Sequence, residues 1–194
     1  MVSMARIELW HGDICNLEVD AIVCPAHPSL WMSTGVGGAI KRAGGDAIEF
    51  AAVRQGPLPV GAAIVTPAGR LAAKAVIHAV SLDRDRRTSA AAIEGAVRSA
   101  MARAREIGAA SIAFPALGTG VGGFPLDEAA RITVATVRDE LTRSPGIEHV
   151  VFALRGAAAY AAFELALTAG LPAPGPGPRP ASPLGSGVGG PTLG

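Results

Sequence analysis

The 194-residue chain is 49% hydrophobic and 17% charged, a balance that buries a core and excludes disorder for its bulk. Its 17 Lys and Arg against 16 Asp and Glu leave a net charge of +1, so no global field draws it to nucleic acid or to an anionic membrane, and only a local anion site is compatible with the balance. No apolar run of about 18 residues occurs and no basic segment followed by a long apolar stretch opens the chain, which argues against a membrane span or secretory signal and makes the cytoplasm the expected location.

Residues 7–10 read as a first strand that ends in His11-Gly12-Asp13-Ile14. An Asp just past a strand either caps a turn or offers an acceptor-only carboxylate to an exocyclic amine. A second strand is expected over 21–23, followed by Cys24-Pro25-Ala26-His27, the glycine-rich stretch Ser33-Thr34-Gly35-Val36-Gly37-Gly38, and helices over 36–43 and 46–55. Strands over 62–66 and 75–80 come next, with His78 in the latter reading as a core histidine. Leu82 to Thr88, with two Asp and three Arg, reads as a solvated loop, the alternative being a rim that touches a ligand or macromolecule. Ser89 and Gly108 bracket a helix over 89–107, and a strand over 111–114 leads into a second glycine loop, Gly118-Thr119-Gly120-Val121-Gly122-Gly123. A helix over 126–141, with Asp127 and Glu128 complementing its dipole, then a strand over 149–154 and a helix over 157–167 complete the pattern.

Strands that alternate with helices predict a mainly parallel sheet covered on both faces, an α/β fold of three layers, α/β/α. From 171 onward 14 of 24 residues are Pro or Gly, so a domain over 1–170 and an unstructured tail over 171–194 are expected. Cys15 and Cys24 are nine residues apart, which fits neither a CxxC redox pair nor a zinc site, and Cys24 reads as a small buried hydrophobe.

Both glycine loops follow a strand and precede a helix, the place where open α/β sheets bind ligands and where backbone N–H groups approach phosphate without obstruction from Cβ. Neither contains the lysine of GxxxxGK[ST], and no GxGxxG follows the first strand, which removes support for triphosphatase and Rossmann readings. A diphosphate held between two backbone loops remains.

The elements Gly12-Asp13-Ile14, Val19-Asp20-Ala21-Ile22-Val23, Gly35-Val36-Gly37-Gly38-Ala39-Ile40, Val76-Ile77-His78 and, above all, the run from Ser111 to Pro125 resemble the macro domain family over roughly residues 5 to 168. The resemblance implies the three-layer fold and binding of ADP-ribose or an ADP-ribosylated macromolecule. It implies that Asp13 takes the adenine amine with Ile14 beside it, and that Gly35, Val36 and Gly37, flanked by Cys24 and Thr34, line one side of the diphosphate. Gly118, Thr119, Gly120, Val121 and Gly122 would wrap the other side, and Phe124 would border the distal ribose. An aromatic near the end of the family's last strand meets the adenine face; Phe152 and Leu154, two apart and so on one side of a strand, are the candidates, with ordinary core as the alternative for Phe152.

Many hydrolytic family members carry Asn-Ala-Ala-Asn where this chain has Cys24-Pro25-Ala26-His27, and some carry an Asp where it has Gly37. The proline makes this tetrapeptide similar to that of the histone-variant macro domain, a binder. His27 is the catalytic base, a contact to the ribose, or a structural or solvent-facing residue of the loop. The expectation is an ADP-ribose-binding domain that hydrolyses an ADP-ribose linkage, in de-ADP-ribosylation or ADP-ribose 1''-phosphate processing, through a water held by the ligand's own phosphate; the alternative is a non-catalytic reader. A monomer with no cofactor and no metal is expected, without sequence-specific nucleic-acid binding.

Overall fold

The computed structural model describes residues 5–169, and the expected tail over 171–194 lies outside them. Six strands, β1 (Arg6–His11), β2 (Ala21–Ala26), β3 (Ala63–Pro67), β4 (Ala75–Val80), β5 (Ser111–Phe114) and β6 (His149–Leu154), form one sheet in the order β1-β6-β5-β2-β4-β3. Five are parallel. β3 runs antiparallel to β4, because the seven residues between them are too few for the crossover that a parallel pair requires.

Helices α1 (Gly35–Gly44) and α2 (Asp46–Val53) cover one face, and α3 (Ala90–Glu106), α4 (Leu126–Arg143) and α5 (Ala157–Thr168) cover the other. The larger core lies under α3 to α5, where Ile93, Ala96, Val97, Ala100, Met101 and Ala104 repeat at helical spacing against the sheet. Small alanines let α3 approach closely, and the Ser89 hydroxyl caps its start by accepting from Ala92 N–H at 3.1 Å. All six residues of β4 are buried, as expected of a parallel strand covered on both sides. No helix among the described residues is long and apolar enough to cross a membrane.

Of the boundaries that differ from the sequence reading, two shape the site. β2 continues to Ala26 rather than ending at Val23. Pro25 hides this in the sequence, since proline lacks the N–H a central strand needs. The ladder explains its tolerance: β2 pairs with β5 only at Ala21–Ile112 and Ile22–Ala113, but with β4 along its whole length. Beyond Ile22 the β5 side of β2 is therefore unpaired, and the sheet parts there. Likewise α1 begins at Gly35 rather than Val36, so all of Gly35 to Gly38 forms the first helical turn.

Candidate functional site

The five parallel strands all end at one edge of the sheet, and where β2 and β5 part a cleft of about 290 Å³ opens. Its walls are the two glycine segments. On one side Gly38 N–H closes the first turn of α1 onto Thr34 O at 3.0 Å, so the N–H groups of residues 35–37 have no acceptor within the helix. The Thr34 hydroxyl does not cap them. On the other side Gly123 N–H bonds Gly120 O and Phe124 N–H bonds Gly118 O, both at 3.0 Å, and the N–H groups of Thr119, Gly120, Val121 and Gly122 donate to no acceptor among the described residues. Residues whose amides have no acceptor thus line both sides of one opening, Gly35 to Gly37 on one and Gly120 to Gly122 on the other, an arrangement that attracts an anion.

Glu49 fixes the first wall. The residue is 3% exposed, and its carboxylate accepts from Met32 N–H at 2.7 Å and from Lys41 Nζ at 2.6 Å. Burial alone would raise its pKa, but the Lys41 ammonium and the Met32 amide outweigh burial and hold it below the ordinary value. The anchored segment carries Trp31, 56% exposed, into the cleft lining.

Of the residues singled out in the sequence, Cys24, His27, Thr34, Gly35, Val36, Gly37, Gly118, Gly120, Val121 and Gly122 come together around the cleft. Asp13, Ile14, Thr119 and Phe124 lie outside its lining. Asp13 caps the short 3₁₀ turn Ile14–Asn16 by accepting from Cys15 N–H at 3.0 Å, and that bond holds its carboxyl below the ordinary range. The turn-capping alternative is thus realised, and Oδ2 faces Arg155 at 3.9 Å. Phe152 and Leu154 do share a side of β6, but it is the side that packs under α3 to α5. Both are fully buried there, with Phe152 centred 5.0 Å from Phe163 and 6.3 Å from Phe114, so they are core and lie outside the cleft lining.

Burial pushes the Cys24 thiol up to about 12, leaving it protonated and non-nucleophilic at neutral pH. His27 has both ring nitrogens engaged: Nδ1 accepts from Ser29 N–H at 3.1 Å and meets the Ser29 hydroxyl at 2.8 Å, so Nε2 carries the proton and donates to Arg84 O at 3.3 Å. His78 is buried as expected, bonded to Thr66 Oγ1 at 2.8 Å, and burial pushes its pKa down to about 4. Its Nδ1 and the Ser81 hydroxyl are buried without a protein partner among the described residues, and both residues line the cleft.

Sequence reasoning missed Trp31, Ser81 and Arg86 as lining residues. The charge run over 82–88 held the signal for Arg86, in its alternative reading as a rim: Leu82 and Arg86 both reach the cleft.

A family model described as Macro domain matches residues 23–133. The chain is 44% identical over 154 residues to a protein named O-acetyl-ADP-ribose deacetylase in Salmonella gallinarum, covering 76% of this chain and 86% of that one. An uncharacterized protein of Mycobacterium tuberculosis is 41% identical over 169 residues, covering 87% of this chain and 46% of its own length, so the chain spans about half the length of its mycobacterial relatives. Among solved structures, a Trypanosoma brucei macrodomain in complex with ADP-ribose superposes with a TM-score of 0.78 at 28% identity, covering 83% of this chain and 68% of that one. An Oceanobacillus iheyensis macrodomain variant with ADPR superposes with a TM-score of 0.80 at 26% identity, covering 87% and 95%. The parted sheet, its two amide walls and these likenesses agree: the chain belongs to the Macro domain family.

Proposed function

We propose that this protein binds ADP-ribose along the carboxyl edge of its sheet and hydrolyses an ester on the distal ribose. The observation that carries the binding reading is the pair of segments with unbonded amides on either side of a cleft that, among the described residues, is lined by no Asp or Glu. The diphosphate sits between residues 35–37 and 118–122; Asp13, whose Oδ1 caps the turn, accepts the adenine amine through Oδ2, and the distal ribose lies toward His27 and Phe124. The hydrolytic part rests on the 44% identity to proteins named O-acetyl-ADP-ribose deacetylase.

With Cys24 protonated and the Nδ1 lone pair of His27 engaged, neither side chain serves as nucleophile or base in this arrangement. A water held against the ligand's phosphate attacks the ester carbon, the carbonyl bond re-forms, and the acid and the ribose hydroxyl leave with one water added across the bond. Backbone amides stabilise the charge that develops. That lack of a free base equally favours a second reading, a domain that binds ADP-ribosylated partners without turnover.

A thermal-shift series with ADP-ribose, ADP and NAD, run beside an assay of acetate release from O-acetyl-ADP-ribose, tests both parts. A ligand at 100 times its Kd adds about 2.7 kcal/mol, or roughly 5–11 °C for a domain of this size. ADP-ribose is expected to give the largest shift. No shift with ADP-ribose contradicts the binding reading, and a shift without acetate release leaves the reader.

A further inference from the structure

The sheet has two edges, and they are finished differently. At β3 the Val65 carbonyl accepts from Gln55 Nε2 at 3.0 Å and the strand ends in Pro67, features that keep an edge from taking another strand. β1, at the other edge, contains no proline, and no side chain among the described residues hydrogen-bonds its backbone. Arg6 N–H donates to Glu148 O at 2.8 Å and Gly12 N–H to Leu154 O at 3.0 Å, so alternate residues from Arg6 turn their backbone groups to β6, and Ile7, Leu9 and His11 turn theirs outward. No strand among the described residues takes them.

The helix beside that edge is apolar on its outer side as well. Only Glu164 is charged among the 12 residues of α5, against seven of 18 in α4 and five of 17 in α3. Ala162 and Phe163 face the core, whereas Ala157, Ala158, Ala161 and Leu165 are exposed on the opposite side, Leu165 at 66%. A helix that is apolar all round is ordinarily covered all round. The rings of His11 and Tyr160, 5.8 Å apart, join β1 to α5, so the bare edge and the apolar helix make one surface.

We infer that this surface takes a second copy of the chain, with β1 pairing antiparallel to β1 about a two-fold axis, in place of the monomer expected from the sequence. Charge chooses the register. Only outward-turned residues exchange hydrogen bonds, which limits the two-fold registers to a few. Ile7 opposite Ile7 sets Arg6 of each copy directly opposite Glu8 of the other, two ion pairs on one face. Centring the pair on Arg6 or on Glu8 opposes like charges, and centring it on Leu9 sets Glu8 against Trp10 with no ion pair. Arg6 Nη2 already meets Glu8 Oε2 at 2.7 Å within the strand, so four charges of alternating sign join across the axis.

On the other face α5 packs on β1 and its neighbour β6, which at about 4.8 Å per strand sets the two α5 helices about 10 Å apart, a distance at which helices pack. The cleft lies between β5 and β2, away from the joint, and the paired strands run in opposite directions. Both clefts therefore stay open, at opposite edges of the joined sheet, and the dimer is bivalent for whatever the cleft binds.

The test is analytical ultracentrifugation of the full chain from about 1 to about 200 μM, over which wild type is expected to pass from monomer to dimer. Arg6→Glu opposes like charges twice in the joint and is expected to weaken the dimer at least about tenfold. Arg6→Glu combined with Glu8→Arg exchanges the signs and is expected to restore the dimer to within about threefold of wild type. Leu165→Glu is expected to weaken it about tenfold without lowering the melting temperature of the monomer, because the side chain is exposed there. A chain that stays monomeric throughout overturns the inference, whether the surface is left bare or is taken by residues 170–194 or by another protein. A dimer indifferent to Arg6→Glu, or one that the charge exchange does not restore, overturns it equally.

Discussion

Gly35-Val36-Gly37-Gly38 and Gly120-Val121-Gly122-Gly123 are the same four residue types in the same order, yet the first is a helical turn and the second is not. The residues next along the chain make the difference. Ala39-Ile40-Lys41-Arg42 continues a helix after the first, and Ile40 is fully buried beneath it. Phe124-Pro125 comes after the second, and a residue ahead of proline is pushed out of the α region, so α4 starts only at Leu126. The same tetrapeptide therefore presents helix-end amides on one wall and the amides of open turns on the other.

The glycines also differ in why they are glycines. A Cβ on Gly122 would sit 2.8 Å from Gly118 O and 2.9 Å from both Leu82 and Thr88. A Cβ on Gly37 would meet only ordinary contacts, the nearest being Cys24 Sγ at 3.5 Å. Gly120 has nothing within 4 Å of such a Cβ among the described residues. The fold needs Gly122 and tolerates change at Gly37, and it gives no reason for glycine at Gly120.

Three substitutions break or sharpen this contrast. Gly122→Ala overpacks against backbone and is expected to cost about 2 kcal/mol, a fall of roughly 4–8 °C in melting temperature, read by urea or thermal unfolding. An unchanged midpoint would show that the second loop is less constrained than its contacts imply. Glu49→Gln releases the anchor of the first wall and is expected to cost roughly 1–2 kcal/mol at pH 7. Because the folded pKa of Glu49 lies below its unfolded value, the charge's contribution is complete above the unfolded carboxyl range, near pH ~4.3, and is lost as pH falls through that range and below it. Stability measured against pH should show wild type and Glu49→Gln converging as pH falls below the unfolded carboxyl range; parallel curves throughout the acid range would deny the carboxylate this role. The smallest effect is expected of Gly37→Ala, within about 1 kcal/mol of wild type, because the methyl has room and alanine favours a helix. A large loss there would place the first wall under the same crowding as the second.

Most of the fold was legible in the sequence. β4, β5 and β6 fall where the sequence puts them, since strands buried on both faces appear as short unbroken apolar runs with clear ends. β2 was cut short because a proline in a central strand is tolerated only where the sheet parts, and that parting is a tertiary fact. The same limit applies to Phe152. Period-two alternation correctly puts it on one side with Leu154, but in a strand with two apolar faces the pattern is silent about which side meets the solvent. Within the site the glycine walls were legible because glycine reports a backbone requirement locally. Trp31, Ser81 and Arg86 were not, since their meeting depends on the order of strands far apart in the chain.

The central claim is that backbone amides across the parted strands hold a diphosphate, and Gly120 tests it with least interference from the fold. Calorimetric titration of ADP-ribose into wild type and Gly120→Glu is expected to show saturable binding in the first and a loss of at least about 100-fold in the second, since a carboxylate there brings both bulk and like charge to the phosphates. The two proteins should melt within about 2 °C of each other, as a residue with open space around it predicts. Equal affinity in the two would contradict the account.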